Sequence, residues 1–229
     1  MTNDRSERST VRRVDRLEEI PDPTPSVEFA VVDVIISSTS IIRLLEQGAA
    51  YVRPFSDPEA ALSFKQREDA VLVGEDGGGA IEGFDLSPLP SIIADADIEG
   101  RPVGIRTTNG TRAMERVGFP DGLVVGSTIN AAAVAEELAG RQRDAMIVAA
   151  GRQGEPVPED TVGAELIEAR YTGVDVDEEH LRERVRDCST AEWLREIGYG
   201  NELDDLLAFD STTVVPTLED GRFVDGYTS

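Results

Sequence analysis

The chain has 229 residues; 45 are Asp or Glu and 22 are Lys or Arg, for a formal net charge of −23, and 40% are apolar. That length suffices for one large α/β domain or two small ones, and the apolar share for a substantial core; the charge argues against nonspecific nucleic-acid binding, which needs a basic surface. Lys65 is the one lysine, and the other 21 basic residues are arginines. Such an acidic, lysine-poor surface suits high salt, because at molar ionic strength the Debye length falls to roughly 3 Å and self-repulsion is screened.

Met1–Thr10 is polar and charged and reads as disordered. Met1–Arg13 has no apolar stretch behind it and so does not read as a signal peptide. No apolar run approaches the ~20 residues of a membrane span. Cys188 is the single cysteine, so no internal disulfide forms. The expectation is a cytoplasmic protein without a membrane partner. Val11–Leu17 suits a short edge strand or a helical turn, and Pro21-Asp22-Pro23-Thr24-Pro25 a stiff linker. Residues 1–26 therefore read as a flexible or edge segment before a domain over 27–229.

A theme then repeats. Phe29–Ile36 is a continuous apolar run, followed by Ser37-Ser38-Thr39-Ser40 and an apolar helical pattern to Gln47-Gly48. Ala70–Val73 ends in Gly74-Glu75-Asp76-Gly77-Gly78-Gly79, and Pro102–Arg106 ends in Thr107-Thr108-Asn109-Gly110-Thr111. Leu123–Val125 leads through Gly126-Ser127-Thr128 to a helix over Asn130–Leu138. Ala145–Val148 ends in Ala149-Ala150-Gly151-Arg152, and Val214–Pro216 is a candidate sixth strand. Thr161–Tyr171 reads as a helix with Asp160 as N-cap. Asp175–Gly198 is charged and helical, with Asp177 a cap and Val185, Trp193, Leu194 and Ile197 as its apolar contacts. Unalternating apolar runs suit strands buried on both faces, and strands alternating with helices predict a largely parallel or mixed sheet between helical layers. Ligands of such sheets sit outside the carboxyl ends of the strands. Asp33, Glu75, Asp85 and Asn109 are expected to share one pocket there.

The segment Arg106-Thr107-Thr108-Asn109-Gly110-Thr111-Arg112 offers backbone N–H groups, hydroxyls and two guanidiniums to an oxyanion such as phosphate. Asp33 lies inside an apolar run, where a carboxylate must be paired, metal-bound or capped by backbone N–H groups; an acid/base or Mg²⁺ role is favoured over a cap. Glu75 is a further candidate. Asp85 is read equally as a ligand or as an Asx-turn. Glu159 and Asp160 stand at a helix start, which the dipole alone explains; Glu159 is read that way. Ser127 and Asn130 have turn and cap alternatives, Arg152 a surface one, and His180 reads as solvated. One histidine excludes a His-rich zinc site. There is no Walker sequence and no Gly-x-Gly-x-x-Gly, and Asp95-Ala96-Asp97 reads as a charged loop.

Several blocks occur in order: Val32-Asp33-Val34 with its Ser/Thr cluster, Gly74-Glu75 with Gly77-Gly78, Glu82-Gly83-Phe84-Asp85-Leu86, Thr107–Arg112, Gly126-Ser127 with Asn130-Ala131, and Ala150-Gly151 with Glu159-Asp160. Together they resemble the 2-phosphosulfolactate phosphatase (ComB-like) family from about Phe29 to about Tyr171. The resemblance implies a three-layer α/β sandwich and Mg²⁺-dependent hydrolysis of (R)-2-phospho-3-sulfolactate to 3-sulfolactate and phosphate, a step of coenzyme M biosynthesis. Ile36 and Asp76 stand where the family carries arginines, Ala149 where it has cysteine, and Tyr199-Gly200-Asn201 where it has His-Gly. A changed substrate stays open, as does a second class of function: a non-catalytic protein that binds a small anion or a protein partner.

The expected assignment follows. Asp33, Glu75 and Asp85 are catalytic. Asp33, Glu75, Asp85 and Asp160 hold Mg²⁺. Ser38, Thr39, Thr107, Thr108, Asn109, Gly110, Thr111, Arg112, Ser127, Asn130 and Arg152 contact a small phosphorylated acid. A homodimer is left open.

Overall fold

In a computed structural model, residues 9–21 and 27–226 are described. Of the disorder read for Met1–Thr10, residues 1–8 lie outside them, while Thr10 is ordered, its N–H and hydroxyl both donating to Asp144 Oδ1 at 2.8 Å; of the linker read over Pro21–Pro25, residues 22–25 lie outside them. Nine strands of the described residues form one mixed sheet in the order β1 (Val11–Val14), β7 (Asp144–Ala149), β2 (Val27–Val32), β6 (Val124–Gly126), β8 (Pro216–Glu219), β9 (Arg222–Asp225), β3 (Tyr51–Pro54), β5 (Pro102–Arg106), β4 (Val71–Gly74). Val11–Val14 is thus an edge strand, parallel to β7. The runs at 29, 70, 102, 123 and 145 are all strands. Two strands escape the apolar-run criterion: β3 carries Arg53 and Pro54, and β9 carries two charges in four residues.

The sheet consists of two parallel blocks, β1-β7-β2-β6 and β3-β5-β4. The β8–β9 hairpin joins them through three antiparallel pairings. The expected strand at Val214–Pro216 starts at Pro216 instead and runs antiparallel. Because three reversals separate β6 from β3, the blocks point in opposite senses along the ladder. Twist offsets this: five strand steps from β2 to β5, at roughly 20–25° each, rotate one block against the other by about 100–125°.

Helices cover both faces. On one, α1 (Ser37–Glu46) and α4 (Gly110–Val117) bury Ile41, Leu44, Ala113, Met114 and Val117 against side chains from both blocks, including Val31, Val148, Val73 and Ile105. On the other face of β2, β6 and β7 lie α5 (Ala131–Gly140), α6 (Pro158–Thr172), α7 (Glu178–Arg186) and α8 (Ser189–Glu196). The same face of β4 packs on α2 (Pro58–Glu68), through Phe64 and Leu72. This is the three-layer arrangement expected. The sequence carries an unused signal for α2: Asp57 accepts from the N–H groups of Glu59 and Ala60 at 3.1 and 3.3 Å, with Pro58 next in line.

Two caps differ in outcome. Asp177 caps α7 by accepting from the His180 N–H at 3.1 Å. Asp160 does not cap α6, whose N-cap is Val157 with Pro158 at the first position; Asp160 instead lies in the first turn, facing inward. The helix expected from Asn130 begins as a 3-10 turn over Thr128–Asn130 before α5. Among the described residues, no helix is long and apolar enough to cross a membrane.

Candidate active site

A cavity of about 290 Å³ opens where the two blocks meet, and Asp33, Glu75, Thr107, Thr108, Asn109 and Arg152 all line it. The meeting is direct. A Cβ added to Gly110, the first residue of α4, would lie 2.3 Å from Ser37 Oγ and 2.9 Å from Asp33 Oδ2. Only glycine lets the turn after β5 approach the loop after β2 this closely.

Asp33 follows β2 immediately and is 4% exposed. Its N–H donates to Ser38 Oγ at 2.9 Å, and its Oδ1 accepts from the Ser37 N–H at 3.3 Å. The Gly110 N–H also donates to this carboxylate. Burial, then the nearby Glu75 and Glu159 carboxylates, push the Asp33 carboxyl up to about 7. The backbone donors from Ser37 and Gly110 pull the other way and are outweighed. Asp33 is thus a buried carboxyl whose proton is held into the neutral pH range.

Asp160 and Glu75 are held differently. Asp160 accepts from the Val34 N–H at 2.7 Å and from the Gly151 N–H at 3.0 Å, tying the loop after β2 to the loop after β7. Burial, Asp33 and Glu159 raise its carboxyl well above the usual range. Glu75 accepts from the Thr108 N–H at 2.7 Å and the Gly78 N–H at 2.5 Å, tying the turns after β4 and β5. The oxyanion turn therefore differs from expectation. Three of its N–H groups are already engaged: Thr107 by Thr111 Oγ1, Thr108 by Glu75, and Gly110 by Asp33. What the turn presents instead is the Thr107 hydroxyl, buried without a partner at the cavity.

Asp85 is not in the cavity. Its carboxylate accepts from the Leu72 N–H at 2.8 Å and pairs with Lys65, so it stabilises the loop beside β4. Arg112 is also outside it: Thr111, Ala113 and Met114 are buried, while Arg112 lies on the exposed face of α4. The hydroxyl and amide residues expected to contact substrate are largely internal. Ser38 positions Asp33, and Thr39 and Ser127 bond each other at 2.8 Å. Thr111 braces Thr107, and Asn130 accepts from the Ser127 N–H at 2.8 Å while donating to Val125 and Val214 carbonyls. Gly110 contributes close approach rather than a ligand contact.

Glu159, read from sequence as a dipole residue, lines the cavity, is 2% exposed, and has a buried Oε2 without a partner. The signal was its neighbour Asp160: two acids side by side in the first turn, one tied to the backbone and the other left to face the cavity. The Cys188 thiol bonds Glu159, and burial pushes this thiol up to about 12, which rules it out as a thiolate nucleophile. His180 is solvated, with 65% of its side chain exposed.

Four carboxylates thus line one cavity, faced by a buried hydroxyl and one guanidinium. Fold and cavity together define an α/β protein with a carboxylate-lined cleft where the two sheet blocks meet. The chain belongs to the 2-phosphosulpholactate phosphatase family, whose model matches residues 14–221, and so stands among the phosphoric monoester hydrolases. It is 35% identical over 198 residues to a probable 2-phosphosulfolactate phosphatase of Thermoplasma acidophilum, covering 85% of this chain and 87% of the relative. A protein so named from Symbiobacterium thermophilum is 33% identical over 214 residues, covering 85% and 92%. Another, from Caldanaerobacter subterraneus subsp. tengcongensis, is 30% identical over 210 residues, covering 83% and 87%.

Proposed function

We propose that this chain is a Mg²⁺-dependent phosphatase of a small phosphorylated hydroxy acid, the class to which 2-phosphosulfolactate, named for its relatives, belongs. The observation that carries the reading is Asp33: a buried carboxyl pushed up to about 7, in a cavity that also presents the Thr107 hydroxyl and Arg152. In this reading Thr107 Oγ1 donates to a phosphate oxygen and Arg152 pairs with an anionic group of the substrate. Water attacks phosphorus, the P–O ester bond breaks, and Asp33 takes the proton of the water or supplies one to the departing alkoxide.

The donor set fits a magnesium ion of a particular kind. Among the described residues, no group of three or more His, Cys, Asp or Glu could hold a metal ion by itself. Mg²⁺ commonly takes one or two carboxylates and fills its octahedron with water and phosphate oxygens. Glu159 would be one, since its Oε2 has no partner, and Asp33, close to it at the same cavity, the other. The bound ion would neutralise phosphate charge and lower the pKa of a coordinated water.

The test is release of inorganic phosphate from 2-phosphosulfolactate and simpler phosphorylated hydroxy acids, with Mg²⁺ and with a chelator. Hydrolysis that the chelator abolishes is expected. A second reading, a non-catalytic anion-binding protein, draws on the excess of carboxylates over cations at the cavity. Phosphate binding without hydrolysis of any ester would favour it. The net charge of −23 supports a salt-rich cytoplasm as the setting.

A further inference from the structure

Two turns of the same build contribute to the cavity lining. Asp76-Gly77-Gly78-Gly79 follows β4, and Arg152-Gln153-Gly154-Glu155 follows β7. In each, the end residues exchange both backbone hydrogen bonds at 2.8 to 3.0 Å. The two central residues have positive φ, +59° and +86° in the first turn and +54° and +93° in the second, the mark of a type I′ hairpin loop. Each turn is pinned by a side chain of the turn after β5. Thr108 Oγ1 accepts from the Gly77 N–H at 2.9 Å, and Asn109 Oδ1 accepts from the Gln153 N–H at 3.3 Å. The first turn is bound further through Glu75, which accepts from the Gly78 and Thr108 N–H groups. The second carries Arg152, the one cationic residue among the described residues that line the cavity. Its base is tied by the Gly151 N–H to Asp160, and its outer end by an Arg16–Glu155 pair at 2.8 Å whose side chains are 46% and 72% exposed. A pair so exposed contributes little. At the tip, Gln153 takes a left-handed backbone without being glycine, a conformation that persists only where its surroundings hold it. The Asn109 side chain holds it there.

We infer that Asn109 is a positioning residue for Arg152. By holding the Gln153 N–H it fixes the turn from which the guanidinium pairs with an acidic group of the substrate, and it does not itself contact the substrate. Three consecutive residues then divide the work: Thr107 presents its partnerless hydroxyl to the cavity, Thr108 secures the turn after β4, and Asn109 secures the turn after β7. The inference rests on the phosphatase reading and adds to it the residue through which the acidic part of the ester is recognised. An ion pair of this kind is made in the ground state and the transition state alike, so loosening it raises KM rather than lowering kcat.

The test has two readouts, both on the full chain in molar KCl. The first is amide hydrogen exchange without substrate. Asn109→Ala should speed exchange of the Gln153 N–H by at least about threefold, as the loss of one hydrogen bond warrants, whereas Asn109→Asp keeps the acceptor and should leave that N–H protected. The second is kcat/KM, with Mg²⁺, for 2-phosphosulfolactate relative to phenyl phosphate, which has no acidic group beyond its phosphate. Arg152→Ala should lower this ratio by about tenfold or more, the scale of one charge-assisted contact. Asn109→Ala should lower it by about threefold or more, through KM, and should lower it no further once Arg152→Ala is present. A full further loss in the Arg152→Ala background would mean that Asn109 meets the substrate directly, and the inference would fall while the phosphatase reading stands. Gln153 exchange at the parent rate in Asn109→Ala, or an unchanged ratio in Arg152→Ala, would overturn it in the same way. If the parent releases phosphate from neither ester, the phosphatase reading falls and takes this inference with it.

Discussion

The Gly110 N–H donates to the Asp33 carboxylate, so the helix launched from one parallel block closes directly on the acid launched from the other. The contact leaves no room for a side chain, since a Cβ on Gly110 would overlap Ser37 Oγ at 2.3 Å. Gly110→Ala should cost about 1–3 kcal/mol of stability, the usual range for overpacking, and should also reduce phosphate release, because relief of the overlap displaces Asp33. Denaturant unfolding and an activity assay read both effects. An unaltered midpoint would mean the two loops are looser than described.

Asp33→Asn should leave the fold intact and lower kcat by at least about a hundredfold, the lower end of what a positioned acid/base group contributes. Circular dichroism checks the first half of this and saturating-Mg²⁺ kinetics the second. Activity equal to the parent's would remove Asp33 from the chemistry.

The same residue sets a pH dependence of stability. Its carboxyl is raised from 3.8 to about 7 on folding, so between those values the native state holds more protons than the unfolded state. The contribution to stability is full below about 3.8 and is lost as pH rises through about 7. Asp160 shifts in the same direction and adds to the trend. In chelator-containing buffer, Asp33→Asn should gain melting temperature relative to the parent as pH is raised across this window. A difference that stays flat from pH 4 to 8 would contradict the shifted carboxyl.

Magnesium should raise the melting temperature of the parent at alkaline pH, by mass action on the native state alone. The gain is about 2.7 kcal/mol when free ion reaches a hundred times its dissociation constant. Glu159→Gln should weaken the response by removing the partnerless oxygen. The comparison is made at fixed ionic strength, so that general screening is the same in every sample. Equal upshifts in parent and variant would exclude Glu159 as a ligand.

Moving from molar to millimolar KCl should lower the melting temperature, since the net charge of −23 repels itself over a lengthening Debye distance. Identical melts at both concentrations would show that the acidic surface is not a salt adaptation.

Much of the fold was legible because strand segments buried on both faces must be apolar, as β4, residues 29–32 of β2 and residues 145–149 of β7 are. β3 and β9 were not, because short strands with exposed positions keep charges. In the site, Asp33 announced itself as a lone acid in an apolar run, and Glu75 and Asn109 as residues just past strand ends. Asp85 shared that local signature, yet its neighbour across the loop is Lys65, twenty residues back in the chain, and no local pattern reports such a pairing. Glu159 and Trp193 reach the cavity from helices that follow β7. Their roles depend on how those helices pack, so sequence alone showed them as an ordinary first-turn acid and an ordinary core aromatic.

The hairpin that joins the blocks has a consequence for synthesis. Pro216–Glu219 and Arg222–Asp225 occupy the middle of the sheet although they come after every other strand in the chain. A ribosome therefore delivers both halves of the site before the piece that binds them together. Until the hairpin is made, the chain carries two open sheet edges, at β6 and β3, and unpaired edges of this kind favour pairing with another chain.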